Sequence, residues 1–326
     1  MKQVTIVVPN GYADMGSITG TLEMLTTAKE YWREIGKKPS MEIRVAGFIP
    51  EIKSEVGVFS VHPINIREII ISDLVIIPSV SIYYNKVLQC NHELIEWIQD
   101  QYKMGAEVAS ICTGAFLLAA TGLLDGKSCS THWGAANDFR QLFPNINLQT
   151  DKLITVERNI YTNGGSYSFL NLILFLIEKY FDRQTAIYCS KMFQIEIDRV
   201  LQSPFVIFRT QKNHGDELVC QAQTYLEEHM NERISFEGLA SKLATSRRNF
   251  DRRFTKATGN TPAEYLQRVK IEVAKGLLEK GRKSIFEVMD EVGYADDKAF
   301  REVFKKITGL SPFDYKRKYN KKLVLV

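Results

Sequence analysis

The stretch SIFEVMDEVGYADDKAFREVFKKITGLSPFDYKRKY, residues 284–319, has the pattern of three consecutive helices. Ser284 and Glu287 have the spacing of a capping box, and Gly293 marks the end of the first helix because glycine readily adopts positive φ. The second helix places its apolar residues at helical spacing, and Ser311, followed by proline, starts the third. A short helix, a tight turn and a second helix with a polar outer face predict a DNA-reading helix-turn-helix.

The same pattern occurs a second time, fifty residues earlier in the chain. The matching pairs are Phe236 and Phe286, Glu237 and Glu287, Phe250 and Phe300, Phe254 and Phe304, Lys256 and Lys306, Thr258 and Thr308, Gly259 and Gly309, Pro262 and Pro312, and Tyr265 and Tyr315. Identical core and cap positions at one offset predict a duplicated structural unit. The residues that differ, such as Arg252 and Glu302, lie on the outward face, where two copies would contact different bases.

Charged side chains on the outward faces of the two second helices are the candidate DNA contacts. Arg252 can pair bidentately with guanine, Asn249 with adenine, and Glu302 can accept from cytosine. The predicted contacts are Arg247, Arg248, Asn249, Arg252 and Lys256 in the first unit, and Lys298, Arg301, Glu302 and Lys305 in the second. A solvated basic face is the alternative for this set. Because Asp296 and Asp297 weaken the second unit electrostatically, we expect the first to supply more of the affinity.

The distribution of charge points to the same end of the chain. The net charge is +4, with 22 Lys and Arg against 17 Asp and Glu from Asp216 onward, and 20 against 21 in the remainder. The excess positive charge therefore lies in the part predicted to bind DNA. Arg253 belongs to the sharpest basic cluster, but we assign Arg253 and Arg247 to phosphate contact or packing.

Residues 216–319 resemble the DNA-binding domain of the AraC family of transcription regulators. That family has two helix-turn-helix units bridged by a long helix, which we expect here at residues 262–280. Its ending, a phenylalanine-rich helix and then Gly-x-(Ser/Thr)-Pro-x-x-Tyr, is present as Phe304, Gly309, Ser311, Pro312 and Tyr315. The resemblance implies that double-stranded DNA is a partner; a helical bundle that binds no DNA is the alternative.

The first two hundred residues alternate between strand-like and helix-like segments. Predicted strands are 4–8, 42–48, 56–61, 74–77, 107–111 and 159–162, and predicted helices are 17–34, 93–102, 114–120, 134–142, 167–180 and 182–200. This alternation predicts an open, flavodoxin-like sandwich with a parallel sheet, followed by an all-α domain. The predicted organisation is an α/β domain at 1–200, a linker at 201–215 and a DNA-binding domain at 216–326.

One cysteine lies where a strand is predicted to run directly into a helix. Cys112 has small residues on both sides in the stretch ASICTGA, as a nucleophile elbow requires. The helix N-terminus is expected to lower the pKa of this thiol and favour the thiolate. His132, twenty residues further on, is a candidate partner.

The α/β region resembles the glutamine-amidotransferase-like superfamily of intracellular proteases and amidases. Many AraC-type regulators of the GlxA-like group carry such a domain in front of their DNA-binding tail. Cys112 falls on the elbow cysteine of that family and His132 on its partner histidine, and the runs 131–133 and 162–165 also look like that group. The resemblance implies a sensor domain that binds a small molecule or assembles dimers.

The sequence departs from the enzymes of that superfamily in two places. The enzymes carry a carboxylate after the first strand, where Gly16 or Ser17 falls here; Asp14 or Glu23 could serve only with a differently built loop. At Pro78–Val80 the family has a glycine pair whose amides face an oxyanion, and larger residues are less free to adopt that geometry. A cysteine without its acid and with a doubtful oxyanion site is a poor catalyst, so we predict no enzyme activity.

The sequence therefore predicts a cytoplasmic, dimeric transcription regulator with a small-molecule effector. Cys112 is then a packing residue, a lining residue of the effector pocket or a thiol that senses oxidants. The alternatives are a cysteine-dependent amidase or hydratase with a DNA-binding tail, and a redox-responsive regulator. The five scattered cysteines are typical of a reduced compartment, and no apolar run is long enough to span a bilayer. We expect neither a metal nor a cofactor, since no ligand spacing connects His62, His92, His132, His214 and His229.

Overall fold

The computed structural model describes residues 1–11, 13–38, 41–53, 57–212 and 214–320. They divide into two compact units, and the chain passes from the first to the second between Gln202 and Ser203. Within the described ranges, no helix is both long and apolar enough to cross a membrane.

The strands of the first unit are β1 (Lys2–Val8), β2 (Met41–Gly47), β3 (Ile52–Lys53), β4 (Ser60–Val61), β5 (Ile64–Asn65), β6 (Leu74–Ile77), β7 (Glu107–Ile111), β8 (Ser128–Cys129), β9 (Asn147–Leu148), β10 (Ile154–Glu157) and β11 (Ile160–Asn163). Seven of them form the main sheet, in the order β10-β11-β7-β6-β1-β2-β5. All pairings in this sheet are parallel except that between β10 and β11. β1 is buried from Val4 to Val8, as expected for a strand covered on both faces.

Helices cover both faces of the sheet, which confirms the predicted sandwich. They are α1 (Met15–Glu34), α2 (Tyr84–Cys90), α3 (His92–Lys103), α4 (Ala115–Ala120), α5 (Ala136–Leu142), α6 (Phe169–Tyr180) and α7 (Arg183–Met192). One apolar core joins the sheet to α2, α3, α4 and α5, and a second joins it to α1, α6 and α7. The carboxyl ends of β1, β6, β7 and β11 therefore lie along one edge of a sheet that is buried on both sides.

Several details of the first unit differ from the sequence predictions. The helix predicted at 182–200 ends at Met192, because the chain turns at Gln194, where φ is 53°. The strand predicted at 56–61 has Val56 outside the described residues, and its end forms β4, which pairs with β3 rather than with the main sheet. Helix α2, the antiparallel strand β10 and the short strands β3, β5, β8 and β9 were not predicted.

The second unit is helical in the residues that the structure describes. Its helices are α8 (Glu217–Glu228), α9 (Phe236–Lys242), α10 (Arg247–Thr258), α11 (Pro262–Lys280), α12 (Ile285–Glu291), α13 (Asp297–Thr308) and α14 (Pro312–Tyr319). Helix α11 has the predicted bounds because Thr261 and Glu264 form a capping box at its start and Gly281 is left-handed at its end.

Two separate apolar cores lie along α11. The first contains residues of α8, α9, α10 and the amino-terminal half of α11, and the second contains residues of the other half with α12, α13 and α14. The tyrosine that follows each second helix closes its core in the same way. Tyr265 donates to Glu227 at 2.6 Å, and Tyr315 donates to Glu279 at 2.6 Å. The structure therefore confirms a duplicated unit.

The fifty-residue offset is wrong for the first helix of each pair. Ser235 caps α9 and Ser284 caps α12, so their offset is forty-nine residues. The left-handed residues after these helices, Ala244 with φ 51° and Gly293 with φ 71°, have the same offset. Phe286 is 69% exposed and so does not correspond to Phe236 in the first core.

The turn between α12 and α13 contains one residue more than the turn between α9 and α10, and this explains the shift. Ser246 caps α10 and Asp296 caps α13, so the offset is fifty residues from these caps onward. Ile285 takes the place of Phe236, and each packs at the edge of its own core. The repeat therefore has two registers, one on each side of the turn.

Candidate functional site

The turn at Cys112 has the strained backbone of a nucleophile elbow. Cys112 follows β7 directly and has φ 53°, a conformation that costs free energy for a residue with a Cβ. Gly114 permits the tight turn, because a Cβ there would lie 2.4 Å from the carbonyl oxygen of Pro78. The predicted passage from strand to elbow to helix is confirmed.

The expected lowering of the Cys112 pKa is wrong. The side chain is buried, and the loss of solvation raises the pKa of the thiol. Hydrogen bonds with Ser79 and Thr113 act in the opposite direction, whereas the negative charge of Asp14 raises the pKa further. Burial outweighs the helix N-terminus, so the neutral thiol is the stable form at neutral pH.

The backbone amides that follow β6 already have side-chain partners. Ser79 N donates to Ser17 Oγ at 3.1 Å, and Val80 N donates to Thr113 Oγ1 at 2.9 Å. Thr113 Oγ1 also donates to Val80 O at 2.6 Å and lies 2.9 Å from Ser79 Oγ. Both amides therefore hydrogen-bond within the protein at the position where the superfamily's enzymes bind an oxyanion.

The carboxylates near the elbow have structural roles or lie at the surface. Asp14 caps α1 through Gly16 N, and it is exposed. Glu23 is also exposed, in the third turn of α1. Ser17 is fully buried, donates to the carbonyl oxygen of Asp14 and accepts from Ser79 N. At the position predicted for the missing acid, the chain thus has a serine that binds the backbone after β6.

His132 is held by its own turn. Its Nδ1 accepts a hydrogen bond from Gly134 N at 3.0 Å, and its ring packs against Trp133. Burial lowers the pKa of His132, so the imidazole is neutral near pH 7. The loop is tied to the elbow by the preceding residue, since Thr131 Oγ1 donates to Cys112 O at 2.8 Å.

Two of the cavities that the described residues of the first unit form are lined by neither Cys112 nor His132. A cavity of about 250 Å³ lies between β10, α6, α7 and the segment after α7, with Leu153, Phe175 and Arg199 in its lining. A groove of about 390 Å³ is bordered by α2 and α5, with Tyr84 and Asp138 in its lining. Tyr84 connects that groove to the elbow helix, because its ring stacks on Phe116 of α4 with 3.8 Å between ring centroids.

The outward face of α10 is cationic and has a fixed arrangement. Arg248, Arg252 and Lys256 are exposed, whereas Asn249 is half-buried. Asn249 donates from Nδ2 to Thr245 Oγ1 and accepts from Arg252 Nη2, both at 2.9 Å. These two hydrogen bonds orient the Arg252 guanidinium, and they occupy both the nitrogen and the oxygen of the Asn249 amide.

The remaining arginines of α10 pair with carboxylates. Arg247 binds Asp251 one turn along the helix, and its guanidinium lies 5.2 Å from the centre of the Phe236 ring. Arg253 makes two hydrogen bonds to Asp216, the cap of α8, at 2.6 and 2.9 Å. The arrangement of Arg253 supports the packing role that was predicted for it.

The outward face of α13 carries charges of both signs. Lys298, Arg301, Glu302 and Lys305 are all exposed. Arg301 binds Asp297, which mirrors the Arg247–Asp251 pair with the charges exchanged. The face of α13 is consequently less cationic than that of α10.

Two residues with evident roles were not predicted from the sequence. Thr245 lies in the turn before α10 and fixes Asn249. Gln202 lies in the predicted linker, yet it is buried and binds the loop that contains Thr131. Turn chemistry offered a signal for Thr245, because threonine readily forms local hydrogen bonds near a helix start. Nothing in the local pattern distinguishes Gln202.

The fold and the elbow define the class of the first unit. The family model described as "DJ-1/PfpI family" matches residues 2–179, more than half of the chain, and the chain belongs to that family. The model described as "Helix-turn-helix domain" matches residues 239–318. The chain therefore combines a DJ-1/PfpI domain with a helix-turn-helix domain.

Several curated proteins resemble the chain over about two thirds of its length. The HTH-type transcriptional regulator GbdR of Pseudomonas aeruginosa is 28% identical over 223 residues, which is 68% of this chain. That match spans 60% of the length of GbdR. The HTH-type transcriptional regulator GlxA of Rhizobium meliloti is 23% identical over 219 residues, 66% of this chain and 67% of GlxA.

Solved structures resemble the chain over three-fifths of its length. A protein of Vibrio parahaemolyticus, provisionally assigned as a transcriptional regulator, has a TM-score of 0.53 and 26% identity over 59% of this chain and 98% of its own. Drosophila melanogaster DJ-1beta has a TM-score of 0.50 and 18% identity over 60% of this chain and 98% of its own, which shows the fold alone.

Proposed function

We propose that this protein is a sequence-specific DNA-binding transcription regulator that acts in the cytoplasm. In this proposal residues 1–200 bind a small-molecule effector and form a homodimer, and residues 216–326 bind DNA. The observation that carries the proposal is the pair of exposed, charged helices, α10 and α13, on two repeated cores that share α11. The relatives named as transcriptional regulators match about two thirds of this chain, which supports it further.

Helix α10 is suited to bind bases in a major groove. It is twelve residues long, begins at a serine cap and turns Arg248, Arg252 and Lys256 outward. Arg252 is oriented by Asn249, so its donors are arranged before DNA arrives and can bind O6 and N7 of guanine. In this arrangement Asn249 serves mainly to position Arg252.

Helix α13 contributes differently in this proposal. Lys298 and Lys305 approach phosphates, and Glu302 accepts from the amino group of cytosine. Arg301 and Arg247 each form a partly exposed ion pair with an aspartate one turn away, and each can exchange that aspartate for a phosphate. We infer that α10 supplies most of the affinity and that α13 extends the sequence that is recognised.

The test is selection from randomised duplexes, followed by titration of the full chain with the selected DNA at several salt concentrations. We expect the selected duplex to bind more tightly than random duplex, and Arg252→Ala to cost about 1–3 kcal/mol and to relax specificity at one position. Arg33→Ala is the matched control, because Arg33 is an exposed arginine on α1. Equal binding to selected and random duplexes would contradict the proposal.

We propose that the elbow does not catalyse a reaction. The amides of Ser79 and Val80 hydrogen-bond to side chains, and burial raises the pKa of Cys112 and lowers that of His132. These features disfavour a thiolate–imidazolium pair and a preformed oxyanion site. The same arguments weigh against Cys112 as a sensor of oxidants, which requires an accessible thiolate.

A cysteine-dependent hydrolase or hydratase is the second candidate. The left-handed backbone of Cys112 favours it, because strained residues are concentrated at functional sites. A panel of amide and α-oxoaldehyde substrates tests this candidate with the full chain and the Cys112→Ser variant. Turnover that Cys112→Ser abolishes would establish the enzyme, whereas equal background rates would support a binding domain.

A further inference from the structure

The residue at which the chain leaves the first unit is fixed by its side chain. Gln202 is 1% exposed, its Nε2 donates to Thr131 O at 3.0 Å and to Lys152 O at 3.1 Å, and its Oε1 accepts from Trp133 N. A Cβ at position 164 would lie 2.1 Å from Gln202 Nε2, so Gly164 provides the space for this amide. A primary amide meets this set of donors and acceptors with both of its ends.

The loop that holds Gln202 also holds the elbow. Thr131 accepts from Gln202 with its carbonyl oxygen and donates from its hydroxyl to Cys112 O at 2.8 Å. The adjacent Ser130 N donates to Thr162 Oγ1 at 2.6 Å, which anchors the loop to β11. Hydrogen bonds therefore connect Gln202 to the strained backbone of Cys112 through a single intervening residue, Thr131.

The next residues of the chain are anchored on the second unit. We call residues 203–212 the strap. Tyr319 donates from its hydroxyl to Pro204 O at 2.9 Å, and Phe208 N donates to Glu272 at 3.0 Å. The ring of Phe208 packs edge-on against Tyr265, with 5.4 Å between ring centroids. Ser203 is the one residue between Gln202, the last residue of the first unit, and Pro204, whose carbonyl oxygen accepts from Tyr319.

The strap is bound to the helix that both DNA-binding cores share. Lys275 donates to Val206 O at 2.5 Å and pairs with Glu272, one turn earlier on α11. The Lys275 side chain is only 6% exposed, so its charge depends on these two acceptors. This pair lies in the half of α11 that belongs to the second core, after Ile271, whereas Phe208 of the strap packs against Tyr265 in the first core. A shift of the strap would consequently reach the spacing of α10 and α13.

We propose that Gln202 is a positioning residue that transmits the state of the elbow to the strap, and through it to the DNA-binding helices. A ligand that displaces the Thr131 loop removes partners of Gln202, which alters where the chain enters the strap. The regulation requires that DNA favour one of the two arrangements. This inference rests on the proposed function, because it describes how that regulator responds to its ligand.

A double-mutant cycle on the full chain tests the inference without the natural ligand. Thr131→Val removes the hydrogen bond to Cys112 O, and Gln202→Ala removes the amide that connects the loop to the chain exit. The readouts are hydrogen exchange of the strap and affinity for the selected duplex. We expect Thr131→Val to change strap exchange by about fivefold or more in the wild-type background and to have no such effect in the Gln202→Ala background.

Two further variants make the result decisive. Gln149→Ala is the matched control, because the side chain of this glutamine donates to Asn147 Oδ1, a neighbour in its own segment of the chain, and its loss should leave the strap unchanged. Lys275→Met breaks the other end of the connection and should raise strap exchange even if Gln202→Ala fails to fold. Additive effects of Thr131→Val and Gln202→Ala, or unchanged strap exchange in Lys275→Met, would overturn the inference.

The two proposals fail in different ways. Strap exchange does not depend on DNA, so coupling through Gln202 without selective DNA binding would contradict the proposed function alone. Selective DNA binding with additive mutations would contradict the role of Gln202 alone.

Discussion

The two helix-turn-helix units differ mainly where they face solvent. Their interiors repeat closely: Phe254 packs edge-on against Tyr265 with 5.3 Å between ring centroids, and Phe304 packs against Tyr315 with 5.5 Å. The exposed sides of α10 and α13 are different. Helix α10 has five cations and one anion, and α13 has four cations and two anions. The duplication therefore preserves what folds each unit and leaves its recognition surface free to change.

The largest expected effect concerns the repeated cores. Phe254 and Phe304 are fully buried in separate cores, so Phe254→Ala and Phe304→Ala should each cost about 3–5 kcal/mol of the free energy of unfolding. Hydrogen exchange should show that each variant loosens its own unit first. Chemical denaturation of the full chain gives the magnitude.

Phe286→Ala is the control for these substitutions. Phe286 is 69% exposed, so its replacement should change stability by less than about 0.5 kcal/mol. A cost comparable to that of Phe304→Ala would show that the register assigned to the second unit is wrong.

The turns provide the next comparison. Gly293 and Ala244 are both left-handed, but a Cβ at Gly293 would lie 2.5 Å from the carbonyl oxygen of Asn231. Gly293→Ala should therefore destabilise the second helix-turn-helix unit by about 1–3 kcal/mol. Ala244→Gly relieves a strained backbone and should change stability by less than about 1 kcal/mol. Thermal unfolding of both variants measures the difference, and equal effects would show that the two turns are equivalent.

Much of the second unit could be predicted because local signals determine it. The bounds of α11 follow from Thr261, Pro262 and Gly281, whose effects extend over a single turn of helix. Matching identical residues pairs Phe236 with Phe286 and so misses the one-residue shift. Ile285, not Phe286, packs at the edge of the second core, and the sequence alone does not distinguish these two neighbouring apolar residues.

The candidate elbow illustrates what a sequence does not determine. The stretch around Cys112 predicted the sharp turn, since small neighbours and a strand–helix junction are local features. The pKa of the thiol depends on burial by residues distant in sequence, and the amide of Ser79 is bound by Ser17, sixty-two positions away. Such long-range contacts decide whether an elbow catalyses or only binds.

Glu302 allows the comparison to be tested on DNA. Arg252 and Glu302 are at equivalent positions, so Glu302→Ala should act in the opposite direction to Arg252→Ala on affinity for random duplex. Removal of the carboxylate reduces repulsion from phosphates, while discrimination at the contacted base falls by about 1 kcal/mol. Titration against selected, single-mismatch and random duplexes measures both quantities. A loss of affinity for all duplexes would mean that Glu302 positions the helix instead.

The smallest expected effect is a pH dependence of stability that belongs to the first helix-turn-helix unit alone. The hydrogen bonds from Arg253 hold the pKa of Asp216 below its usual range. A carboxylate with a lowered pKa stabilises the fold above the ordinary aspartate range, and this stabilisation is lost as the pH falls through the lowered value. At the position equivalent to Arg253, the second helix-turn-helix unit has Val303, which packs against the core of that unit. Only the first of these two positions therefore carries the ion pair.

Asp216→Asn separates the charge from the helix cap, because asparagine caps a helix about as well as aspartate. Both side chains of the pair remain partly exposed to solvent, so the variant should lose no more than about 1 kcal/mol at pH 7. Denaturation at pH 7 and below pH 4 should show this difference shrink as Asp216 is protonated in the wild type. Since Val303 cannot titrate, hydrogen exchange in α13 should respond equally to acid in both proteins. A difference in unfolding free energy that is as large at low pH as at pH 7 would show that the charge of Asp216 is not its source.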